Sequence, residues 1–449
     1  MAWERKLMRT VRCQNDQQRG TLARLLAAVA DEGGSIGEIE LIKEGNQREV
    51  RDIVVFCEDE TQLDRILRAM SANPGTRVLE VRDQVLELHQ KGKIAIRSRY
   101  TIDSLATLRK VYTPGVAEVC LKIAKDPALA RRYTAVSHLV AIVTDGTAVL
   151  GLGDIGALAG MPVMEGKAML METLVGLSGV PILLNTKDSD EIVATIKAIA
   201  PTFGAIQLED ISAPRCFEIE ERLQQCIDVP VMHDDQHGTA VVATAALINA
   251  CRIAGRDLSK AVIGQIGLGA AGQAIAQMIM NLTGNPLLGA DLSPQALDRL
   301  ERNGGRRSSL TEIMGSTDIV ISTTGAKGLI KPAMVHSGQI ILALSNPNPE
   351  IEPDDALNAG AKFAADGKSV NNVLGFPGIF RGAVDTYVRQ ISHEMYVAAA
   401  EAIVAETPAG ELMPNPLDKR VHHAVARAVA KKAIEQGLAR AEYVEYVEE

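Results

Sequence analysis

The chain has 449 residues, 47 % hydrophobic and 23 % charged, which makes it too long for one ordinary core and too apolar for a disordered segment. Aromatic residues make up only 3 %, so aliphatic side chains must build the cores. A net charge of −9 argues against a nucleic-acid binder, no apolar run is long enough to span a membrane, and the charged start MAWERKLMRTVRCQ has no signal-peptide core. The cysteines, Cys13, Cys57, Cys120, Cys216, Cys226 and Cys251, form no CxxC pair, so neither a zinc knuckle nor a disulfide framework is expected, and a reducing cytoplasm is the expected setting.

The first ninety residues alternate strand and helix signals. KLMRTVRCQ has strand periodicity, and TLARLLAAVADEGG spaces its apolar residues for a helix that Gly33 and Gly34 stop. GEIELI and DIVVFCE are predicted strands around the polar turn KEGNQRE, ETQLDRILRAM a helix, and TRVLEVRDQV a fourth strand. This βαββαβ order predicts a small ferredoxin-like module. With Gly20 between the first strand and first helix, it resembles an ACT domain. That resemblance implies pairing of modules and a small effector, often an amino acid; a purely structural dimerisation module is the alternative. KGKIAIRSRY is the predicted junction. Beyond it, LVAIVTDG, VPILLN, AIQLEDI and VPVMHDD are short apolar strands among helices, an α/β pattern with a mainly parallel sheet. The helical run VVATAALINACRIAG leads to a second α/β stretch from AVIGQIG, and the tail from about residue 383 is helix-rich.

GxGxxG occurs twice. Gly267, Gly269 and Gly272, with Ala270 and Ala271 between them, follow the strand AVIGQI and open the helix QAIAQMIMNLTG. PLLGAD then ends in Asp291, nineteen residues after Gly272. This is the dinucleotide fingerprint in context: tight turn, close pyrophosphate approach, helix N-terminus and an acid for a ribose hydroxyl. An acid there disfavours a 2′-phosphate, so NAD is expected over NADP. Thr323, Thr324 and Asn346 lie at the ends of DIVISTTG and QIILALSNP, where such sheets bind ligands. The other loop, Gly151, Gly153 and Gly156, is interrupted by Gly160, Pro162 and Gly166 and is expected to line a site rather than cradle a nucleotide.

Two acid pairs end apolar strands: Glu209–Asp210 in AIQLED and Asp234–Asp235 in VPVMHDD. Adjacent residues on a strand point to opposite faces, so each pair can split its duties between a cation and a neighbour. Converging carboxylates repel unless positive charge lies between them, and oxygen donors suit Mg²⁺ or Mn²⁺. His233 and His237 would suggest zinc or iron, but no third well-placed histidine accompanies them, so packing or hydrogen bonding is expected of both. Tyr112 follows the helix SLATLRKV in a loop made by Pro114 and Gly115, as an acid or an interface anchor. Lys167 lies early in the amphipathic helix MPVMEGKAMLMETL, and Asn346 and Asn372 stand in turn-rich segments.

YTPGVAEVC, TDGTAVLGLGDIGALAGMPVMEGKA, LEDI, HDDQHGTAVV, GLGAAG, ALSNPNPE and NNVLGFPG together resemble the malic enzymes, in the family's order over about residues 95 to 400 and most like the compact bacterial type. The resemblance implies an α/β protein of three parts: an ACT-like regulatory domain (1–90), a substrate- and metal-binding domain (95–238), and a Rossmann-type NAD domain with C-terminal helices (239–449). It implies that malate becomes pyruvate and CO₂, with NAD and Mg²⁺ or Mn²⁺, in a homodimer or homotetramer. By motif, Tyr112 resembles the family's general acid, Lys167 its general base, Asp234 the carboxylate that holds the lysine, and Glu209, Asp210 and Asp235 the metal ligands. Asn346 and Asn372 resemble residues near the nicotinamide and substrate. Lys167 is expected to have its pKa lowered by neighbouring charge. The large-subunit enzymes carry an arginine before LGLG that grips a malate carboxylate; Ala148 occupies that position here. Two rivals use the same parts: a dehydrogenase for another hydroxy acid such as tartrate or isocitrate, and a non-catalytic sensor.

Overall fold

The computed structural model describes residues 7–149 and 151–446, and the chain divides into two compact units at Lys93 and Ile94. In the first unit β1 (Leu7–Asp16), α1 (Thr21–Asp31), β2 (Ser35–Glu44), β3 (Arg48–Cys57), α2 (Glu60–Ala72) and β4 (Thr76–Arg82) follow in the expected order. They form an antiparallel sheet ordered β2-β3-β1-β4. Alternation puts Val11 and Cys13 of β1 and Ile53 and Val55 of β3 into the core. Leu25 and Val29 of α1, with Leu63, Ile66 and Met70 of α2, meet them at helical spacing. Gly20 precedes α1 at φ 84, a left-handed conformation that glycine adopts without steric cost. The turn expected over KEGNQRE shrinks to three residues, because Lys43 and Glu44 continue the ladder opposite Val50 and Glu49.

The second unit opens with helices Leu105–Val111 and Val116–Lys125, neither of which buries a residue. Two parallel sheets follow. The first contains β5 (Leu139–Thr144), β6 (Ser178–Leu183), β7 (Ala205–Leu208) and β8 (Val231–His233), ordered β6-β5-β7-β8. The second contains β9 (Ile263–Ile266), β10 (Leu288–Ala290), β11 (Arg306–Arg307), β12 (Ile319–Ser322), β13 (Ile340–Ala343) and β14 (Phe363–Asp366), ordered β11-β10-β9-β12-β13-β14. Every pairing in it is parallel, and its strand order reverses at β9, the usual place of a nucleotide crevice. β7, β9, β12 and β13 are buried at every position, as strands covered on both faces must be. The helix Asp234–Ala254 links the sheets and runs through the main core with helices Phe376–Asp385, His393–Glu406 and Lys419–Glu435. No described helix is long and apolar enough to cross a membrane. All six cysteines are free.

Candidate active site

The carboxyl ends of β7 and β8 bring the acids together. Glu209 follows β7; its backbone N–H continues the ladder to the Val143 carbonyl at 2.9 Å, and its Oε2 accepts from Gln207 Nε2 at 2.6 Å. Asp210 then leaves the strand at φ 54, an unusual conformation for a residue with a Cβ. Its carbonyl accepts from the Ala148 N–H at 2.9 Å, and its own N–H donates to Asp235 Oδ2 at 3.0 Å. Asp234 and Asp235 are not strand residues, as their apolar lead-in suggested: β8 stops at His233, and both acids lie in the first helical turn. Their duties therefore divide by the rotation of about 100° per residue around a helix of 3.6 residues per turn, not by strand alternation.

Lys167 extends from the helix Met161–Val175 into this cluster and is buried, 9 % exposed, not solvated. Its Nζ lies 2.5 Å from Asp234 Oδ2, 3.0 Å from Glu209 Oε1 and 4.5 Å from the centre of the Phe376 ring. Asn372 donates to the same Asp234 oxygen at 2.9 Å. Burial disfavours the Lys167 ammonium, but Asp234 and Glu209 outweigh it and hold the lysine above its ordinary range. This reverses the lowered pKa expected from sequence, because the charges facing Lys167 are negative.

Glu209, Asp210 and Asp235 each present an oxygen within 4.8 Å of the others. Burial pushes Glu209 up to about 7 against the pull of Lys167. Burial and the neighbouring Asp235 push Asp210 up to about 8. Burial likewise pushes Asp234 up to about 6, opposed by Lys167. Asp210 Oδ2 is enclosed and has no hydrogen-bond partner. Crowded oxygens, one of them orphaned, fit a hard divalent cation. The histidines do not extend this donor set. His237 turns to Glu220 at 3.0 Å and stacks on Tyr396, and His233 is fully buried with its Nε2 3.4 Å from Asp235.

Several residues that hold this site were not singled out from the sequence. Asp145, after β5, accepts from Arg215 Nη2 at 2.7 Å and from Thr147 Oγ1 at 2.6 Å. Thr147 in turn accepts from the Ser212 N–H at 3.0 Å, tying down the loop that carries Asp210. Gly238 has no room for a side chain, since a Cβ there would lie 1.8 Å from Asp234 Oδ1. The one available signal was position: TDGT ends a strand of the same sheet as LEDI and HDD.

The nucleotide loop lies on the other sheet. Gly267, at φ 86, follows β9; Gly269 precedes the helix Ala270–Thr283, which begins with Ala270 and Ala271. A Cβ on Gly272 would lie 1.9 Å from the Gly267 carbonyl oxygen. Asp291 follows β10 and accepts the Leu268 N–H at 2.6 Å and the Ser293 N–H at 2.8 Å. Each carboxylate oxygen retains acceptor capacity for a ribose hydroxyl. Leu268, Gly269, Asp291 and Ser293, facing Pro214 and Phe217, line a cavity of about 320 Å³. Thr323 Oγ1 donates to the Gly267 carbonyl at 3.2 Å. Buried Glu350 gathers the Thr324 N–H, the Thr324 hydroxyl and the Ser345 hydroxyl on one oxygen, at 2.6, 2.8 and 2.6 Å. Asn346 Nδ2 donates to the Gly367 carbonyl at 2.9 Å. In the other glycine loop, of which Leu150 lies outside the described residues, Gly151, Gly153 and Gly156 all have positive φ. Contrary to expectation, Gly160, Pro162 and Gly166 do not interrupt the chain that follows: the 3₁₀ turn Leu158–Gly160 runs straight into the helix Met161–Val175, where Pro162 sits in the first turn and needs no N–H partner. A Cβ on Gly151 would lie 3.3 Å from Pro347, beside the Asn346 turn.

Tyr112 caps the helix Leu105–Val111 and is 66 % exposed. Among the described residues no hydrogen bond joins its hydroxyl to the Lys167 cluster.

The family model "Malic enzyme, N-terminal domain" matches residues 91–224. The chain is 56 % identical over 430 residues to NAD-dependent malic enzyme 1 of Bacillus subtilis, covering 95 % of this chain and 98 % of that one. It is 40 % identical to the NAD-dependent malic enzyme of Geobacillus stearothermophilus, covering 96 % and 95 %. The crystal structure of malic enzyme from Pyrococcus horikoshii superposes with a TM-score of 0.75 at 39 % identity, over 80 % of this chain and 92 % of that one. That of the NAD-dependent malic enzyme from Thermotoga maritima gives 0.72 at 36 % identity, over 77 % and 98 %. With relatives this similar over nearly their whole length, and a buried lysine among four carboxylates beside a dinucleotide fold, the chain belongs to the malic enzyme family.

Proposed function

We propose that this chain oxidises L-malate and decarboxylates it to pyruvate and CO₂, with NAD as hydride acceptor and Mg²⁺ or Mn²⁺ at Glu209, Asp210 and Asp235. The observation that carries this reading is Lys167, buried and joined to Asp234 at 2.5 Å, one residue from a three-carboxylate oxygen site. The names of the relatives and Asp291 after β10 support NAD as the nucleotide. When bound, the cation supplies positive charge that offsets the carboxylates around Lys167 and stabilises negative charge on a substrate oxygen. Lys167 accepts the C2 hydroxyl proton, and Asp234 and Asn372 hold it in line. Phe376 closes one side of the lysine and limits water there. Tyr112 protonates C3 after CO₂ leaves; a phenol, with a reference pKa near ~10, keeps its proton at neutral pH. Asn346 and Asn372 stand nearest the nicotinamide and substrate in this reading.

We assign the antiparallel first unit to an ACT-type module that binds a small amino-acid-like effector. Its βαββαβ order and Gly20 turn support that assignment. The test is NADH formation with L-malate, tartrate and isocitrate, each with Mn²⁺ or Mg²⁺ and with or without single amino acids. Malate turnover that depends on the cation and shifts with an amino acid supports the whole reading. Turnover of tartrate or isocitrate instead of malate overturns the substrate, and indifference to every amino acid overturns the effector.

A further inference from the structure

The first turn of the helix Asp234–Ala254 carries both acids that matter most, yet it lacks an ordinary cap. Its N-cap residue, His233, makes no side-chain hydrogen bond to the turn. The acceptor comes from another element. Glu220, on the helix Arg215–Cys226, is 6 % exposed and points at this turn. Its Oε1 accepts the His233 backbone N–H at 2.8 Å. Its Oε2 accepts from Gln236 Nε2 at 3.0 Å and meets His237 Nε2 at 3.0 Å. The His237 ring is itself fixed, stacked on Tyr396 with centroids 4.8 Å apart and planes within 1°. One buried carboxylate therefore grips the residues on both sides of Asp234 and Asp235 and touches neither acid. A negative charge at a helix N-terminus is also favoured by the helix dipole.

We infer that Glu220 is a positioning residue: it sets the His233–His237 turn so that Asp234 meets Lys167 while Asp235 meets Glu209 and Asp210. The inference deepens the cation reading of Glu209, Asp210 and Asp235 and rests on it. Glutamine at this position keeps the size but has only one acceptor oxygen, so its amide nitrogen must face one of the donors. Loss of a partner that orients metal ligands typically costs about 10–100-fold in metal affinity or activity.

The experiment measures Mn²⁺ binding without substrate, by the electron-paramagnetic-resonance signal of free Mn²⁺, on the full-length parent, Glu220→Gln and Gln236→Met. NADH affinity and the melting temperature of the cation-free protein are measured beside it, together with kcat and the KM for NAD. Glu220→Gln is expected to bind Mn²⁺ about 10-fold or more weakly and to lose a similar factor in kcat. Its NADH affinity and KM for NAD stay at the parent's values, and Gln236→Met, which removes one donor, falls between. Parental Mn²⁺ affinity in Glu220→Gln overturns the inference, as does a matching loss of NADH affinity and melting temperature, which marks general damage. If Glu220→Gln does not fold, Gln236→Met carries the test, and parental Mn²⁺ affinity there overturns it. Failure of the parent to bind Mn²⁺ overturns the cation reading itself.

Discussion

Lys167 is held as an ammonium by the carboxylates that surround it, and it must give up that proton to act as a base. Lys167→Ala is expected to lower kcat by about 10²- to 10⁴-fold, the usual contribution of a general base. NADH binding should survive, because the nucleotide loop is on other elements; near-parental turnover would remove Lys167 from the mechanism. The acids have a further consequence for pH. Glu209 at about 7, Asp210 at about 8 and Asp234 at about 6 all lie above their unfolded values near ~4. Between those limits the folded chain binds more protons than the unfolded one, so this cluster makes the cation-free protein less stable as pH rises. A cation needs the deprotonated ligands, so its affinity rises over the same range. Mn²⁺ should therefore raise the melting temperature more at pH 8 than at pH 6, and an equal shift at both would contradict the assignment.

Two tight turns carry most of the chemistry, and they differ in how far the sequence revealed them. The nucleotide turn was legible because its parts are local: an apolar strand, three glycines, a helix and an acid at the end of the next strand. Gly272→Ala would force a Cβ to within 1.9 Å of the Gly267 carbonyl. It is expected to weaken NADH binding and to cost about 1–3 kcal/mol of stability, read by fluorescence titration and thermal melting. The turn at Asp234 was legible only as residue types. Its acids read as a strand end because VPVM is apolar and extended, and nothing local marks His233 as the last strand residue. The contacts that give these residues their roles join distant segments: Lys167 to Asp234 across 67 positions, Arg215 to Asp145 across 70, Asn372 to Asp234 across 138. A lysine early in an amphipathic helix therefore carries no local mark of its role, which comes from Glu209 and Asp234 placed around it. Gly238 directly follows that turn, and nothing local in the sequence marks it. Gly238→Ala would drive the Asp234 carboxylate off its bonds with Lys167 and Asn372, and kcat is expected to fall about 10²-fold, the usual result of a misplacement near 1 Å. Retention of parental kcat would show that the carboxylate has another productive position.

At the scale of the whole molecule, the second unit presents an apolar arm: Ile96, Tyr100, Leu105, Leu121 and Tyr112 are all exposed. Large apolar side chains exposed along one stretch of chain fit an association surface. Among the described residues the Tyr112 hydroxyl makes no hydrogen bond to the lysine cluster, and we propose that Tyr112, 66 % exposed on this stretch, serves the site of a neighbouring chain. Co-folding Tyr112→Phe with Lys167→Ala chains should then recover activity that neither has alone, and no recovery would place both groups in one chain. The first unit has its own core around Leu25, Ile53 and Ile66, so removal of residues 1–93 should leave malate turnover and abolish any response to amino acids. The central claim is that one chain joins a lysine–carboxylate site for malate to an NAD fold. The most direct measurement follows NADH absorbance and pyruvate together on mixing the protein, NAD, Mn²⁺ and L-malate. Equal amounts of NADH and pyruvate, with neither formed when Mn²⁺ is chelated, are the predicted result. NADH without pyruvate, or neither product with Mn²⁺ present, would contradict the account.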